Sequence, residues 1–153
     1  MPRKGITLIL IIVLSISLII ISLKCRSISE ERSWNQTNAN MNVKADLSVA
    51  SDLFGGNSLT KENGSNFNYN RAMSMIASAS QLLGFTTYNE NNNDLIIILD
   101  NLCVVMENDK YKESVIQKSN SIYKVLLQLS RNPEDKNATN NLSNLIEEIR
   151  QDK

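Results

Sequence analysis

The longest apolar stretch of the chain begins at Ile6 and ends at Leu23, and its 18 residues include no charged residue, no proline and no glycine. The hydrocarbon core of a bilayer is about 30 Å thick, and an α-helix of about 20 apolar residues crosses it. A segment in lipid must satisfy its own backbone hydrogen bonds, so this run should be helical there. Residues 1–26 are therefore predicted to be a membrane anchor or signal segment with a single transmembrane helix.

The charges that flank this run bear on its orientation. Arg3 and Lys4 precede it, and further basic residues follow from Lys24 onward, so the positive-inside rule separates the two orientations only weakly. A short basic start followed at once by an apolar run is typical of a signal-anchor, and no A-x-A-like cleavage site follows. This favours an uncleaved anchor in the cell membrane, with the carboxyl-terminal domain outside the cytoplasm. The polar residues 27–41 are interpreted as a juxtamembrane stalk.

A cysteine lies just after the apolar run and suggests an alternative to the uncleaved anchor. Cys25 lies near the position where a bacterial lipoprotein signal has its lipidated cysteine, after Ser22 and Leu23. The lipobox resembles Leu-x-small-Cys, whereas Lys24 directly precedes the cysteine here. Cys25 is therefore a candidate for lipidation, and a juxtamembrane cysteine can also be acylated without cleavage.

A second motif gives another alternative. The six residues from Lys4 to Ile9, KGITLI, resemble the type IV prepilin signal, in which cleavage follows the glycine. The resemblance implies a mature chain that begins at Ile6 and serves as a structural subunit of a pilus-like or secretion assembly. The acidic residue that the family has five positions after the glycine is Leu10 in this chain.

After the stalk, apolar residues recur at helical spacing in five segments, and each is predicted to be an amphipathic helix. These segments are residues 42–54, 69–83, 94–107, 110–131 and 133–150, with polar connections at 55–67 and 86–93. The predicted inward-facing residues are Val43, Leu47, Ala50, Phe54, Tyr69, Ala72, Met73, Ile76, Ser80, Leu83, Leu95, Ile98, Leu99, Leu102, Cys103, Met106, Tyr111, Val115, Ile122, Leu126, Leu129, Leu142, Leu145, Ile146 and Ile149. An antiparallel bundle of four or five helices buries such faces economically. The fold class is therefore all-α, with residues 42–153 forming the helical domain.

Local signals predict where these helices begin and end. Gly55 and Gly56 follow the first of them and Gly84 follows the second, in the position where glycine commonly ends a helix. Before the last helix, Asn132 is the predicted N-cap and Pro133 the predicted first residue.

The segment 94–107 admits two interpretations. As a helix it is apolar nearly all round, which predicts a central, buried position. As two strands it would form a hairpin that turns at Asp100 and Asn101. Periodicity does not decide between them in a short apolar run, and the helical neighbours favour the helix.

Composition limits the classes of function that the chain can have. The chain has 16 basic and 16 acidic residues, and this balance argues against non-specific electrostatic binding of nucleic acid. Histidine, the commonest general base, is absent. No nucleotide-binding, catalytic or metal-ligand motif is present, so no catalytic residue, cofactor or metal site is predicted. Cys103 is interpreted as a small buried hydrophobic residue that does not pair with Cys25.

These observations predict a non-enzymatic surface or envelope protein. Its anchor would contact the lipid bilayer, and its bundle would bind an unidentified protein partner, with formation of a homo-oligomer left open. The pilin-like subunit and the lipoprotein remain the alternatives.

Overall fold

The computed structural model describes residues 3–56, 58–59 and 65–152, and side chains within 14–56, 58–59 and 66–152. All regular elements in these ranges are helical, in the order α1 (Arg3–Phe54), α2 (Ser65–Leu83), α3 (Tyr88–Asn91), α4 (Asp94–Glu107), a 3₁₀ turn (Asp109–Tyr111), α5 (Lys112–Gln117), α6 (Ser119–Arg131) and α7 (Lys136–Gln151). The all-α prediction is confirmed, and the hairpin alternative for residues 94–107 is wrong. The chain divides into two compact units, Met1–Asn35 and Gln36–Lys153.

The first helix is longer than predicted. The segment interpreted as a stalk, residues 27–41, is helical, and the helix expected to begin at residue 42 is the last part of α1. Residues 24–41 contain no proline or glycine, and extending a helix that already exists is far easier than starting one. Arg26 and Glu30, one turn apart, form an ion pair of 2.9 Å that adds a small local stabilisation.

The predicted transmembrane helix falls partly outside the description, because the side chains of residues 6–13 are not among those described. In the part of the chain that is described, no helix is both long and apolar enough to cross a membrane. The anchor therefore stays a prediction.

The second unit is a helical bundle with one shared core. The predicted inward-facing residues are buried, or half-buried and packed against this core, with Leu47, Leu99, Leu126 and Leu142 among those fully buried. Hydrogen bonds show how α4 is placed: Tyr69 of α2 donates to the Met106 carbonyl at 3.0 Å, and Ser80 of α2 donates to the Asp100 carboxylate at 2.6 Å. Since residue numbers fall along α2 as they rise along α4, these two helices are antiparallel.

The connection predicted at 86–93 contains the short helix α3 and a buried polar residue. The Asn92 amide donates to the Pro133 carbonyl and to the Thr139 hydroxyl, each at 2.8 Å. Asn92 and Thr139 are both almost completely buried. These bonds tie the start of α4 to the start of α7, while Arg150 of α7 reaches Asn101 further along α4 at 3.4 Å. The two helices therefore run parallel.

The predicted helix 110–131 is divided into a 3₁₀ turn, α5 and α6. Lys118 leaves the helical conformation with φ −87° and ψ 3°, and its backbone N–H donates to the Ser114 carbonyl at 3.0 Å. Its side chain extends to Glu148 of α7, where Nζ lies 2.6 Å from the carboxylate. The break keeps the apolar face inward, since Val115, Ile122 and Leu126 are all fully buried.

The predicted cap of the last helix is also wrong by three residues. Asp135, in an extended conformation, accepts a hydrogen bond from the Ala138 N–H at 3.0 Å and so caps α7. Asn132 instead begins the preceding turn, where its carbonyl accepts from the Asp135 N–H at 3.1 Å. Aspartate is as good an N-cap as asparagine, and the turn that contains Pro133 separates α6 from α7.

Helix ends marked by glycine are predicted correctly. α1 ends at Phe54 and α2 ends at Leu83, directly before Gly55 and Gly84. Gly56 has φ +59°, a left-handed conformation that glycine adopts without a steric penalty. The beginning of α2 lies at Ser65, one turn before the predicted start at residue 69.

Candidate functional site

The amino-terminal unit presents an apolar helical surface. Every described side chain from Leu14 to Leu23 is exposed, and the large apolar ones are each more than half accessible. They are Leu14, Ile16, Leu18, Ile19, Ile20, Ile21 and Leu23. These positions advance around the helix by about 100° per residue, so they cover all its sides. This segment therefore exposes apolar side chains on every side of the helix.

The polar surface begins directly after this segment. The basic residues Lys24 and Arg26 come first. The acidic residues Glu30 and Glu31 and the basic Arg32 follow, and all five side chains are exposed. Cys25, the predicted candidate for lipidation, is an exposed free thiol on α1. It is accessible to a modifying reagent or enzyme.

A second apolar surface lies on the bundle and was not predicted. α4 was expected to be central, yet it leaves Ile97 61% exposed and Val104 59% exposed. These two residues stand seven positions apart, so they share one helix face with Asp100, and Glu107 follows Val104 by one further turn. We name Ile97, Asp100, Val104 and Glu107 the α4 surface. It is an aliphatic strip with acidic side chains beside it.

One side of this surface is fixed by α2. The Ser80 hydroxyl donates to the Asp100 carboxylate and holds it at 2.6 Å. Cys103 packs at the same contact, with Sγ 3.8 Å from the Met73 carbonyl. Burial, reinforced by the charges of Asp100 and Glu107, raises the pKa of the Cys103 thiol to about 11. Cys103 is a half-buried thiol rather than a fully buried one, and it stays protonated at neutral pH.

Burial also perturbs the ionisation of the Tyr69 hydroxyl. Burial, with a contribution from the charge of Asp109, raises its pKa to about 12. Its hydroxyl donates to the Met106 carbonyl, which requires the protonated form. Tyr69 thus acts as a structural link between α2 and the end of α4.

Carboxylates that are neighbours in the sequence, at 134–135 and at 147–148, could in principle act as acid–base pairs, but they make separate structural contacts. Asp135 caps α7 and accepts from Gln128 at 2.7 Å, and these hydrogen bonds lower its pKa. Glu147 pairs with Arg150 at 2.8 Å, whereas its neighbour Glu148 pairs with Lys118. The two members of the pair 147–148 therefore point to different partners and are not arranged as an acid–base dyad.

Two shallow clefts also lie on the bundle. One, of about 410 Å³, is lined by charged and polar side chains that include Lys110, Glu113 and Asp152. The other, of about 360 Å³, lies between α6 and α7, beside Lys124 and Leu145. Among the residues that the structure describes, no group of three or more cysteine, aspartate or glutamate side chains is arranged to hold a metal ion.

Comparisons with protein-family models, with curated proteins and with solved structures gave no match to this chain. Two surfaces of the chain itself are therefore the main indications of its function, the apolar segment on α1 and the α4 surface on the bundle.

Proposed function

We propose that this chain is a membrane-anchored, non-enzymatic protein whose helical bundle lies outside the cytoplasm and binds another protein. The observation that carries the proposal is the exposure of the apolar side chains between Leu14 and Leu23 on all sides of α1. Leaving so much apolar surface in water is unfavourable. A groove on a protein would cover one side of such a helix, whereas lipid chains cover every side.

The sequence supports the same environment. In the sequence the apolar residues continue without a charge from Leu23 back to Ile6, and a helix of this length spans about the thickness of a bilayer core. Charged side chains follow at once, starting with Lys24. A short basic start before the run is typical of a signal-anchor, which leaves the carboxyl-terminal domain outside the cytoplasm.

The α4 surface supports the protein-binding part of the proposal. Ile97 and Val104 are aliphatic, exposed and on one face, and interfaces commonly combine such an apolar centre with a polar rim. Asp100 and Glu107 supply the acidic part of that rim. A partner with an apolar strip and basic side chains would complement it.

The anchor and its orientation are tested together in cells that express the full chain with a carboxyl-terminal epitope. We expect the protein to stay in the membrane pellet after alkaline extraction. We also expect protease added to intact cells or spheroplasts to remove the epitope. Protection until the membrane is opened would reverse the orientation, and a soluble protein would refute the anchor.

The mass of the mature amino terminus separates the alternatives in the same preparation. An intact Met1 is expected for the anchor. A chain beginning at Ile6 would support the pilin-like subunit, and a lipid on an amino-terminal Cys25 would support the lipoprotein.

The α4 surface is tested with a photoreactive amino acid placed at Ile97 or at Val104 in the full chain. Both positions are expected to give a covalent adduct with one and the same protein when intact cells are irradiated. The matched control is Lys124, which is exposed on α6. Equal labelling at all three positions, or different proteins at Ile97 and Val104, would contradict binding through this surface.

A further inference from the structure

Five residues of α1 form a stripe with the spacing of a coiled coil. Leu14, Leu18, Ile21, Cys25 and Ile28 follow one another at intervals of four, three, four and three residues. This is the alternation of the a and d positions in a heptad. All five side chains are exposed. We name them the heptad stripe.

The informative part of the stripe lies beyond the apolar segment. Within residues 14–23 every face of α1 is largely aliphatic, so those residues alone do not indicate which face a second helix would contact. In residues 24–33, however, Cys25 and Ile28 are the only apolar side chains. Both fall on the continuation of the stripe. The next two positions, Arg32 and Asn35, are polar, so the apolar part ends at Ile28.

We propose that a second copy of this chain packs in parallel along the heptad stripe, so that the protein is a homodimer joined through α1. The residues of the heptad stripe recur every 3.5 residues on average, and two helices that pack along such a stripe wind around each other with a left-handed supercoil. The parallel direction rests on the proposed function, since two copies inserted in the same sense cross the membrane side by side.

The residues beside the stripe fit a second copy. Ser15, Ser22 and Ser29 recur every seven residues and occupy the flanking position next to Leu14, Ile21 and Ile28. Small side chains at this position let two helices approach closely. They also place no charge against the second copy within the membrane.

Charges at the outer end of the stripe are complementary in a parallel pair. Arg32 occupies the next a position, and Glu31 occupies the g position directly before it. A side chain at a packs into a hole of the facing helix that includes the preceding g residue. Arg32 of each copy therefore lies beside Glu31 of the other copy, and these attractions offset the repulsion between the two facing Arg32 side chains.

Cys25 gives a direct measurement of this arrangement. In a parallel dimer the two Cys25 residues face each other across an a position, at a spacing that a disulfide bond can join. With Cu(II)–phenanthroline as oxidant, each thiol releases a proton, one S–S bond forms between the two sulfurs, and the two electrons pass to two Cu(II) ions. The measured quantity is the rate at which the covalent dimer appears.

The experiment uses the full chain in its membrane with Cys103→Ala, so that one thiol remains. We expect Cys25 to cross-link severalfold faster than a thiol moved to an outward position by Cys25→Ser with Ser27→Cys. Cys25→Ser with Ile28→Cys, which returns the thiol to the stripe, is expected to restore fast cross-linking. Equal rates at positions 25, 27 and 28 would refute the dimer.

Failure of the anchor would be recognised separately. A protein that is absent from the membrane pellet but still cross-links fastest at positions 25 and 28 would refute the proposed function and retain the dimer. A protein that is membrane-bound but cross-links at position 25 no faster than at position 27 would retain the anchor and refute the dimer.

Discussion

Leu126→Ala is expected to lower the free energy of unfolding of the bundle by about 2–5 kcal/mol. Leu126 is completely buried on α6 and belongs to the shared core of the bundle. Removing one methine and two methyl carbons there forfeits their transfer from water and leaves a cavity that neighbouring side chains fill only in part. The measurement is urea unfolding of the full chain in mild detergent, followed by far-ultraviolet circular dichroism.

The matched control for this prediction is Ile97→Ala, which removes a similar aliphatic side chain from an exposed position. Ile97 is 61% exposed on α4, and substitutions at such sites usually change stability by within about 0.5 kcal/mol. A Leu126→Ala protein that unfolds at the same urea concentration as the Ile97→Ala protein would show that Leu126 does not belong to the core.

The periodicity of apolar residues was sufficient to predict the core of the bundle. Val43, Leu47, Ala50 and Phe54 are spaced so that they share one face of a helix, and all four are buried. The reason is physical: only a helix with this period can remove these side chains from water together. The faces were therefore predictable even where the helix ends were not.

The positions of the helix ends depend on local breaks and tertiary contacts, which the periodicity of apolar residues does not reveal. The break at Lys118 leaves the apolar face unchanged, so the pattern from Val115 to Ile122 is the same with or without it. Asn132 and Asp135 have similar capping ability, so their residue types alone do not determine which of them begins α7. Asp135 also accepts from Gln128 of α6, a tertiary contact that the local sequence does not reveal.

The α4 surface was missed for a related reason. Nearly every position of residues 94–107 is apolar, so the sequence could not indicate which of them another helix covers. The structure packs α2 and α7 against α4 and leaves Ile97 and Val104 uncovered. The buried amide of Asn92 was equally unpredictable, since its partners Pro133 and Thr139 lie 41 and 47 residues away in the sequence.

Replacing Ile12 and Ile19 together by Arg is expected to move the protein from the membrane pellet to the soluble or degraded fraction. Each arginine near the centre of a transmembrane helix costs about 2.5–3.5 kcal/mol on insertion scales. The two together therefore cost about 5–7 kcal/mol, which corresponds to roughly a thousandfold or more in the insertion equilibrium. The fraction of protein that sediments after alkaline extraction is the quantity to measure.

The control must add the same charge outside the apolar run. Ser27→Arg with Asn35→Arg does so on the exposed polar part of α1, and this protein is expected to sediment like the wild type. Because both double variants carry two additional positive charges, a difference between them isolates the position of the charge from its amount. If Ile12→Arg with Ile19→Arg sediments as fully as the control, the exposed apolar side chains of α1 are not held in lipid. In that case a protein surface would be the better candidate for covering them.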